Sequence, residues 1–232
     1  MKCGVVIFPG SNCDHDIIYV LKKILKQEVV KLWHKDKDLQ KCEFIILPGG
    51  FSYGDYLRSG AIARFSPIME KVIDYANNGG YLMGICNGFQ ILCEAGLLPG
   101  TLQPNDNQKF ICKNIFIRPQ THNALITSEL DMNEALKIPI AHGEGRYYID
   151  EKELKKLNDN DQVLFRYCDE KGKVTSESNP NGSLENIAGI CNIKRNVFGM
   201  MPHPERAADH ELQNTDGRKL FESVLKNFIH AA

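Results

Sequence analysis

The chain reads Gly84-Ile85-Cys86-Asn87-Gly88-Phe89-Gln90 where a short apolar run, Tyr81–Ile85, meets a helical pattern at 91–95. Glycines two residues before and after Cys86 let the backbone turn sharply from a strand into a helix. The side chain at the centre of such a turn is held out at the edge of a sheet. The stretch therefore predicts an α/β fold that presents Cys86 as a nucleophile.

Strands and helices alternate on the N-terminal side of this turn. Apolar runs at 5–8, Glu28–Trp33 and Phe44–Leu47 predict strands, and helical patterns lie at 17–25 and after Ser66-Pro67. Strands that alternate with helices form right-handed crossovers and a parallel sheet, whose ligands lie at the carboxyl ends of the strands. We therefore expect the functional residues in the loops that follow these strands.

The pattern changes after residue 100, where short extended runs are separated by polar loops and predict a partly antiparallel half. We predict one domain over residues 1–232, a flavodoxin-like, open, mostly parallel sheet with helices on both faces and an antiparallel extension. The extended runs are at 110–118, 163–167, 187–193 and 197–201, a long loop or hairpin is expected at 169–186, and an amphipathic helix at 220–228.

Composition excludes several classes of partner. Among 232 residues, 28 Lys and Arg nearly balance 29 Asp and Glu, so no overall field favours nucleic acid or an anionic membrane. The eight cysteines form no CxxC pair, and we expect free thiols and no metal site. The apolar run at the beginning is too short for a signal peptide. We therefore expect a cytoplasmic protein.

A base for Cys86 is predicted in Met200-Met201-Pro202-His203-Pro204-Glu205-Arg206. A helix dipole stabilises a thiolate by only about 0.3–1 kcal/mol, so a histidine must take the proton. Residues i and i+2 of an extended segment point to the same side, so Glu205 can orient His203. The result is a Cys-His-Glu arrangement. His142, in Ala141-His142-Gly143-Glu144-Gly145-Arg146, is the rival base.

An oxyanion hole needs backbone N–H donors close to the nucleophile. The turn itself supplies the N–H of Asn87. A second donor is expected from the glycine loop at 48–55, which follows the predicted strand Phe44–Leu47. A phosphate cradle is the other interpretation of that loop. However, it lacks both G-x-x-x-x-G-K-[ST] and G-x-G-x-x-G, so a nucleotide site has little support.

The ordered motifs Pro48-Gly49-Gly50, 84–90 and His203-Pro204-Glu205 resemble those of the class I (triad) glutamine amidotransferases. Four further stretches, at 8–14, 50–55, 141–146 and 179–183, are similar to the branch that serves a separate synthase of purine biosynthesis. The likeness extends over nearly the whole chain.

The resemblance implies that Cys86 attacks the side-chain amide of glutamine, that His203 protonates the departing ammonia, and that Glu205 orients His203. By the same matching, Gly50 and Asn87 provide the oxyanion donors. The remaining glutamine-binding positions implied are Gly49, Phe51, Gln90, Gly143 and Glu144. No role is assigned to Arg146 or Arg206.

The resemblance also implies partners, because the chain contains nothing similar to an ATP-binding synthase. A large synthase subunit, and with it a small bridging subunit, would receive the ammonia. ATP and magnesium would belong to the synthase, and no cofactor is expected in this chain. Two alternatives remain open: a free-standing cysteine hydrolase acting on γ-glutamyl compounds, and a non-catalytic flavodoxin-like binding module in which Cys86 is inert.

Overall fold

A computed structural model describes the backbone of residues 1–230 and the side chains of residues 1–228, so the last two residues of the expected domain lie outside it. Its strands are β1 (Lys2–Ile7), β2 (Glu28–Trp33), β3 (Phe44–Leu47), β4 (Tyr81–Ile85), β5 (Thr101–Gln103), β6 (Ile111–Pro119), β7 (Leu136–His142), β8 (Arg146–Tyr148), β9 (Val163–Cys168), β10 (Ile187–Cys191) and β11 (Val197–Met200). Its α-helices are α1 (Asp14–Tyr19), α2 (Pro67–Asn77), α3 (Asn87–Glu94), α4 (Glu151–Asp159) and α5 (Asp216–His230).

A nine-stranded sheet with the order β2-β1-β3-β4-β11-β10-β9-β6-β7 runs through the molecule. The first five strands in this order pair in parallel. The chain leaves β1 toward one edge and β3 toward the other, so right-handed crossovers place α1 and α2 on opposite faces of the sheet. This half has the predicted flavodoxin-like order.

The other half of the sheet is antiparallel, from β11 through β10, β9 and β6 to β7. Four of these strands occupy runs that the sequence predicts, but β7 does not. Pro139 lies in the middle of β7, opposite Asn114. Proline removes a ladder donor and is tolerated on an edge strand, which is where β7 lies. Because Pro139 argues against a strand, the sequence did not predict β7.

Helix boundaries follow local chemistry. Helix α2 begins with Pro67 at its first position, as predicted. Helix α1 is shorter than the pattern at 17–25 suggests, because the chain continues in a π-helical turn, Val20–Ile24. Helix α4, which sequence analysis missed, is capped by the Asp150 carboxylate accepting from the Glu153 N–H at 3.0 Å. None of the helices between residues 1 and 230 is long and apolar enough to cross a membrane.

The parallel half brings four loops together at one edge of the sheet. Strands β1, β3, β4 and β11 all end there, and the residues that follow them include Cys13, Gly49, Cys86 and His203. The crossovers change direction between β1 and β3, and ligands of open α/β sheets bind at such a point. An isolated antiparallel bridge between Ser11 and Gly50 joins the two loops there. The topology therefore forms a site from segments far apart in sequence.

Candidate active site

Cys86 has the strained backbone of a sharp strand-to-helix turn, with φ 51° and ψ −106°. The strain is held in place by close packing on both sides. A β-carbon on Gly84 would lie 2.6 Å from the backbone of Gly88, and one on Gly88 would lie 2.0 Å from the carbonyl oxygen of Leu47. The predicted turn is therefore present, and both of its glycines are required by space. The Cys86 Sγ lies 3.7 Å from the Ala141 carbonyl oxygen.

His203 and Glu205 form a buried pair. The Nδ1 of His203 donates to Oε1 of Glu205 at 2.6 Å, and the two residues are 1% and 3% exposed. The segment differs from the extended one expected, because Pro204–Ala207 form a turn of 3₁₀ helix. The contact forms nonetheless. The His203 N–H donates to the carbonyl oxygen of Pro139 on β7 at 2.8 Å, which fixes the base to the edge strand.

The surroundings of His203 favour its charged form. Burial by itself lowers the pKa of the ring, but the Glu205 carboxylate and the Cys86 sulfur outweigh it and raise the pKa well above its ordinary value. The Nε2 atom is buried and forms no well-aligned hydrogen bond within the described residues. Because Glu205 holds Nδ1, Nε2 is the nitrogen left to exchange a proton with a thiol or a leaving group.

His142, the rival base, is placed differently. Its Nδ1 lies 3.0 Å from the amide oxygen of Asn105, and no carboxylate takes the place that Glu205 takes beside His203. Burial, followed by the charge on His203, lowers the pKa of His142 to about 4. The ring is therefore neutral near pH 7. The geometry favours His203 over His142 as the base.

The predicted oxyanion donors are the backbone N–H groups of Asn87 and Gly50. Asn87 is the first residue of α3, and the N–H groups of a helix's first turn have no intrahelical partner. In the loop after β3, the Phe51 N–H donates to the Gly10 carbonyl oxygen at 3.0 Å and is occupied. Gly50, with φ 134°, stands beside Asn12 in a conformation that L side chains rarely adopt. The donor roles of Gly50 and Asn87 therefore stay predictions.

The side chain of Asn87 ties the glycine loop to α3. Its Oδ1 accepts from the Ser52 N–H at 3.1 Å, and its Nδ2 donates to Asp55 at 3.1 Å and to Gln90 Oε1 at 2.9 Å. Asn87 is 2% exposed, so these are buried hydrogen bonds. One side chain therefore fixes the loop that carries Gly50 relative to the turn that carries Cys86.

Of the expected glutamine-binding residues, Gln90 and Glu144 contact each other, whereas Gly49 lies beside His203, and Gln90, Gly143 and Glu144 do not line the cavity over Cys86. The Gln90 amide donates to the Glu144 carbonyl oxygen at 2.6 Å, and the Gly143 carbonyl oxygen accepts from the Asn105 N–H at 2.9 Å. The loop at 179–183 supports this strand end, since the Asn181 amide donates to the Gly145 carbonyl oxygen at 2.8 Å. Phe51 lies 46% exposed at the opening.

A cavity of about 160 Å³ lies over Cys86 and His203. Several of its residues were not predicted as site residues, among them Cys13, whose Sγ accepts from Arg206 at 3.0 Å. The position of Cys13 after β1, beside the loop after β3, was the signal that could have placed it here. The cavity is lined by Asn12, Cys13, Gly50, Phe51, Cys86, Phe110, Ala141, His203 and Arg206.

The two arginines without a predicted role have defined partners. Arg206 donates to the Asp16 carboxylate at 3.0 Å as well as to Cys13, so it joins α1 to the triad segment. Arg146 donates to the side chain of Gln103 at 2.7 Å, across the β5–β8 pair. Arg206 lines the cavity and Arg146 does not.

Known proteins are similar to this chain over nearly its whole length. The family described as the CobB/CobQ-like glutamine amidotransferase domain matches residues 1–229. The chain belongs to the glutamine amidotransferase family. The predicted family resemblance is therefore confirmed. The glycine loop at 48–55 needs no phosphate-binding role to explain its presence in this family.

Some members of the family have sequences that are more than half identical to this chain. The phosphoribosylformylglycinamidine synthase subunit PurQ of Koribacter versatilis is 56% identical over 97% of each chain. The PurQ of Aquifex aeolicus is 52% identical over 98% of this chain and 100% of its own.

Solved structures agree with the predicted fold. The structure of PurLQS from Thermotoga maritima contains a chain that is 43% identical, with a TM-score of 0.85 and 98% coverage of both chains. A glutamine amidotransferase from Thermotoga maritima, 16% identical, has a TM-score of 0.54 over 97% of this chain and 90% of its own. The latter shows the fold alone. The predicted mostly parallel sheet with an antiparallel extension is confirmed by the former.

Proposed function

We propose that this chain is the glutaminase subunit of a phosphoribosylformylglycinamidine synthase. The observation that carries the proposal is the buried His203–Glu205 pair, 2.6 Å apart, beside the strained turn that presents Cys86. Relatives that are named as subunits of this synthase align with 97% and 98% of the chain and are 56% and 52% identical to it. The amide of glutamine is the substrate that a thiol, a base and two oxyanion donors suit.

The first half of the reaction forms a thioester. The Cys86 thiol gives its proton to Nε2 of His203, and the sulfur attacks the side-chain carbonyl carbon of glutamine. The oxygen of the tetrahedral intermediate accepts from the N–H groups of Asn87 and Gly50. His203 then donates the proton to the leaving nitrogen, so the C–N bond breaks and ammonia departs. Glu205 accepts from Nδ1 of His203 throughout and stabilises the imidazolium while it exists.

The second half frees the enzyme. His203, now neutral, accepts a proton from water at Nε2, and the hydroxide attacks the thioester carbon. The same two N–H groups stabilise the second oxyanion. The C–S bond breaks, glutamate leaves, and the Cys86 sulfur recovers its proton from His203. Gln90, Gly143 and Glu144 hold the amino-acid end of glutamine in this proposal, and Gly49 and Phe51 border its side chain.

The ammonia serves a partner in this proposal. A large synthase subunit, with a small bridging subunit, uses ATP and magnesium to convert formylglycinamide ribonucleotide to formylglycinamidine ribonucleotide. The support is that a chain 43% identical to this one belongs to the PurLQS structure. We infer that the complex works in the cytoplasm.

Ammonia release from glutamine tests the proposal. Wild type, Cys86→Ala and Cys93→Ala are each assayed alone and mixed with a synthase subunit, ATP and formylglycinamide ribonucleotide. Cys93 lies on α3, the helix that follows the turn, and does not line the cavity. We expect the mixture to raise the activity of wild type and Cys93→Ala and leave Cys86→Ala inactive. Equal activity without partners would favour a free-standing hydrolase, and no activity in a competent mixture would favour a binding module.

A further inference from the structure

Cys13 stands at the beginning of α1, but its side chain does not cap that helix. It is the N-cap residue, a position where Ser, Thr, Asp and Asn dominate because their oxygens accept from the first N–H groups of the helix. The Cys13 side chain makes no such hydrogen bond within the described chain. It is 4% exposed and lines the cavity over Cys86 and His203. The thiol therefore belongs to the active site rather than to the helix end.

Backbone hydrogen bonds fix Cys13 beside the predicted base. The Cys13 N–H donates to the Gly49 carbonyl oxygen at 3.3 Å, and the Cys13 carbonyl oxygen accepts from the Ile17 N–H at 3.2 Å. A ring nitrogen of His203 and a carboxylate oxygen of Glu205 both lie within 4.8 Å of the Cys13 sulfur. The loop after β1 thus places this sulfur next to the His203–Glu205 pair.

The sulfur accepts from one end of the Arg206 guanidinium. Nη2 of Arg206 donates to Sγ of Cys13 at 3.0 Å, while Nε donates to the Asp16 carboxylate at 3.0 Å. Sγ in turn donates its hydrogen to the Asn12 amide oxygen at 3.5 Å. Because that hydrogen is used by Asn12, the contacts make Cys13 an acceptor for Arg206 rather than a second acid for the reaction.

Arg206 brings a positive charge into a cavity where the reaction forms another. The Arg206 N–H donates to the His203 carbonyl oxygen at 3.1 Å, and both residues line the cavity. Burial by itself lowers the pKa of Arg206, but the Cys13 sulfur and Asp16 outweigh it and raise the pKa above its ordinary value. The guanidinium is therefore charged. A like charge disfavours the protonated imidazole, so an unpaired guanidinium here would weaken the base.

We propose that Cys13 is a positioning residue for His203. Its sulfur holds one end of the Arg206 guanidinium while Asp16 holds the other, so the positive charge of Arg206 does not oppose the imidazolium. The inference rests on the proposed function, which requires His203 to carry a proton to the leaving nitrogen. Cations then alternate with groups that accept from them, in the order Asp16, Arg206, Cys13, His203 and Glu205.

The titratable and charged groups around His203 come from four parts of the fold. Burial, the largest effect, lowers the pKa of His203, and Glu205, Cys86 and Cys13 together raise it. His142 is neutral near pH 7 and adds no charge there. Loss of the Cys13 sulfur should therefore lower the pKa of His203, and loss of the Arg206 cation should raise it. The groups are Glu205 and Arg206 on the segment of His203, Cys86 on the turn before α3, His142 on β7, and Cys13 and Asp16 at the beginning of α1.

Carbon-13 NMR of the histidine Cε1 groups measures the charge of His203 in the chain alone, without glutamine. The His203 signal is identified by its absence in His203→Gln. We expect the midpoint of its titration to fall by about 0.5 pH unit or more in Cys13→Ala, and to rise in Arg206→Gln. Cys13→Ser keeps an acceptor for Arg206 and should stay closer to wild type. Cys42→Ala removes another buried thiol, outside the cavity, and should leave the midpoint unchanged.

The pH profile of kcat/KM for glutamine, measured with the synthase partner, tests the kinetic effect. Its two limbs report the macroscopic pKa values of the Cys86–His203 pair, so both should move to lower pH in Cys13→Ala. A merely structural role would lower kcat/KM equally at every pH. NMR shifts as expected in a chain that never hydrolyses glutamine would support the placement of charge and reject the proposed function. An unchanged His203 midpoint in Cys13→Ala and Arg206→Gln, or an equal shift in Cys42→Ala, would overturn the inference.

Discussion

Gly49 lies so close to His203 that a β-carbon at position 49 would stand 2.6 Å from Cε1 of the imidazole. The loop after β3 thus contacts the His203 ring through the α-hydrogen of Gly49, with no space for a side chain between them. The first glycine of the Pro48-Gly49-Gly50 motif is required by its distance to His203, while the second is required by its backbone conformation, φ 134°.

Gly49→Ala is expected to displace the His203 ring and lower kcat/KM for glutamine about 10²-fold, because small misplacements of catalytic groups have effects of this size. The measurement is steady-state ammonia release with the synthase partner. Gly79→Ala is the control, since its β-carbon would meet nothing within 4 Å, although φ is +90°. That variant should lose stability and keep its activity. Full activity in Gly49→Ala would show that the ring has room to move.

Glu205→Gln should lower kcat by roughly 10²–10⁴-fold and change KM little, because the amide no longer stabilises the imidazolium or fixes the Nε2 proton. The kinetic constants are measured separately with saturating partner. Glu211→Gln, on the exposed surface nearby, should behave as wild type. An effect of Glu205→Gln confined to KM would assign the carboxylate to substrate binding.

Asn87→Ala keeps the backbone N–H of the oxyanion hole and removes three side-chain hydrogen bonds. The Ser52 N–H loses its buried acceptor, and we expect unfolding in urea to require about 1–3 kcal/mol less free energy. Activity should fall as the glycine loop loosens. Asn107→Ala, in an exposed loop, is the comparison. Unchanged stability and activity would mean that the loop is held elsewhere.

His142 provides a pH test of folding. Its pKa is about 4 in the folded chain against 6.5 ordinarily, so between these values the unfolded chain binds more protons. The stabilisation is complete above pH 6.5 and is lost as pH falls toward 4. Relative to His142→Gln, the wild type should lose about 3 kcal/mol of unfolding free energy across this window. Parallel pH curves for the two proteins, from urea unfolding, would contradict the assignment.

The N-terminal fold could be predicted because its signals are local. Apolar runs ended by Pro-Gly turns mark β1 and β3, and Ser66-Pro67 marks the beginning of α2. The antiparallel half was harder to predict for two reasons. Pro139 argues against a strand at the position of the edge strand β7, and α4 is a polar helix with a single buried leucine, Leu157.

The chemistry of the site could be predicted from residue types, but its arrangement could not. Cys86, His203 and Glu205 stand out in their motifs. The place of Cys13 depends on β1 and β3 being neighbours in the sheet, which no local pattern states. The links from Asn87 to Ser52 and Asp55 depend in the same way on β3 and β4 being neighbours in the sheet.

The most direct measurement identifies the residue that carries the carbon skeleton of glutamine during turnover. The complex is mixed with skeleton-labelled glutamine, quenched in acid, digested and analysed by mass spectrometry. We expect a glutamyl group on the peptide that contains Cys86, and none in Cys86→Ala. Ammonia release without a labelled Cys86 peptide, or a label on Cys13 instead, would contradict Cys86 as the nucleophile.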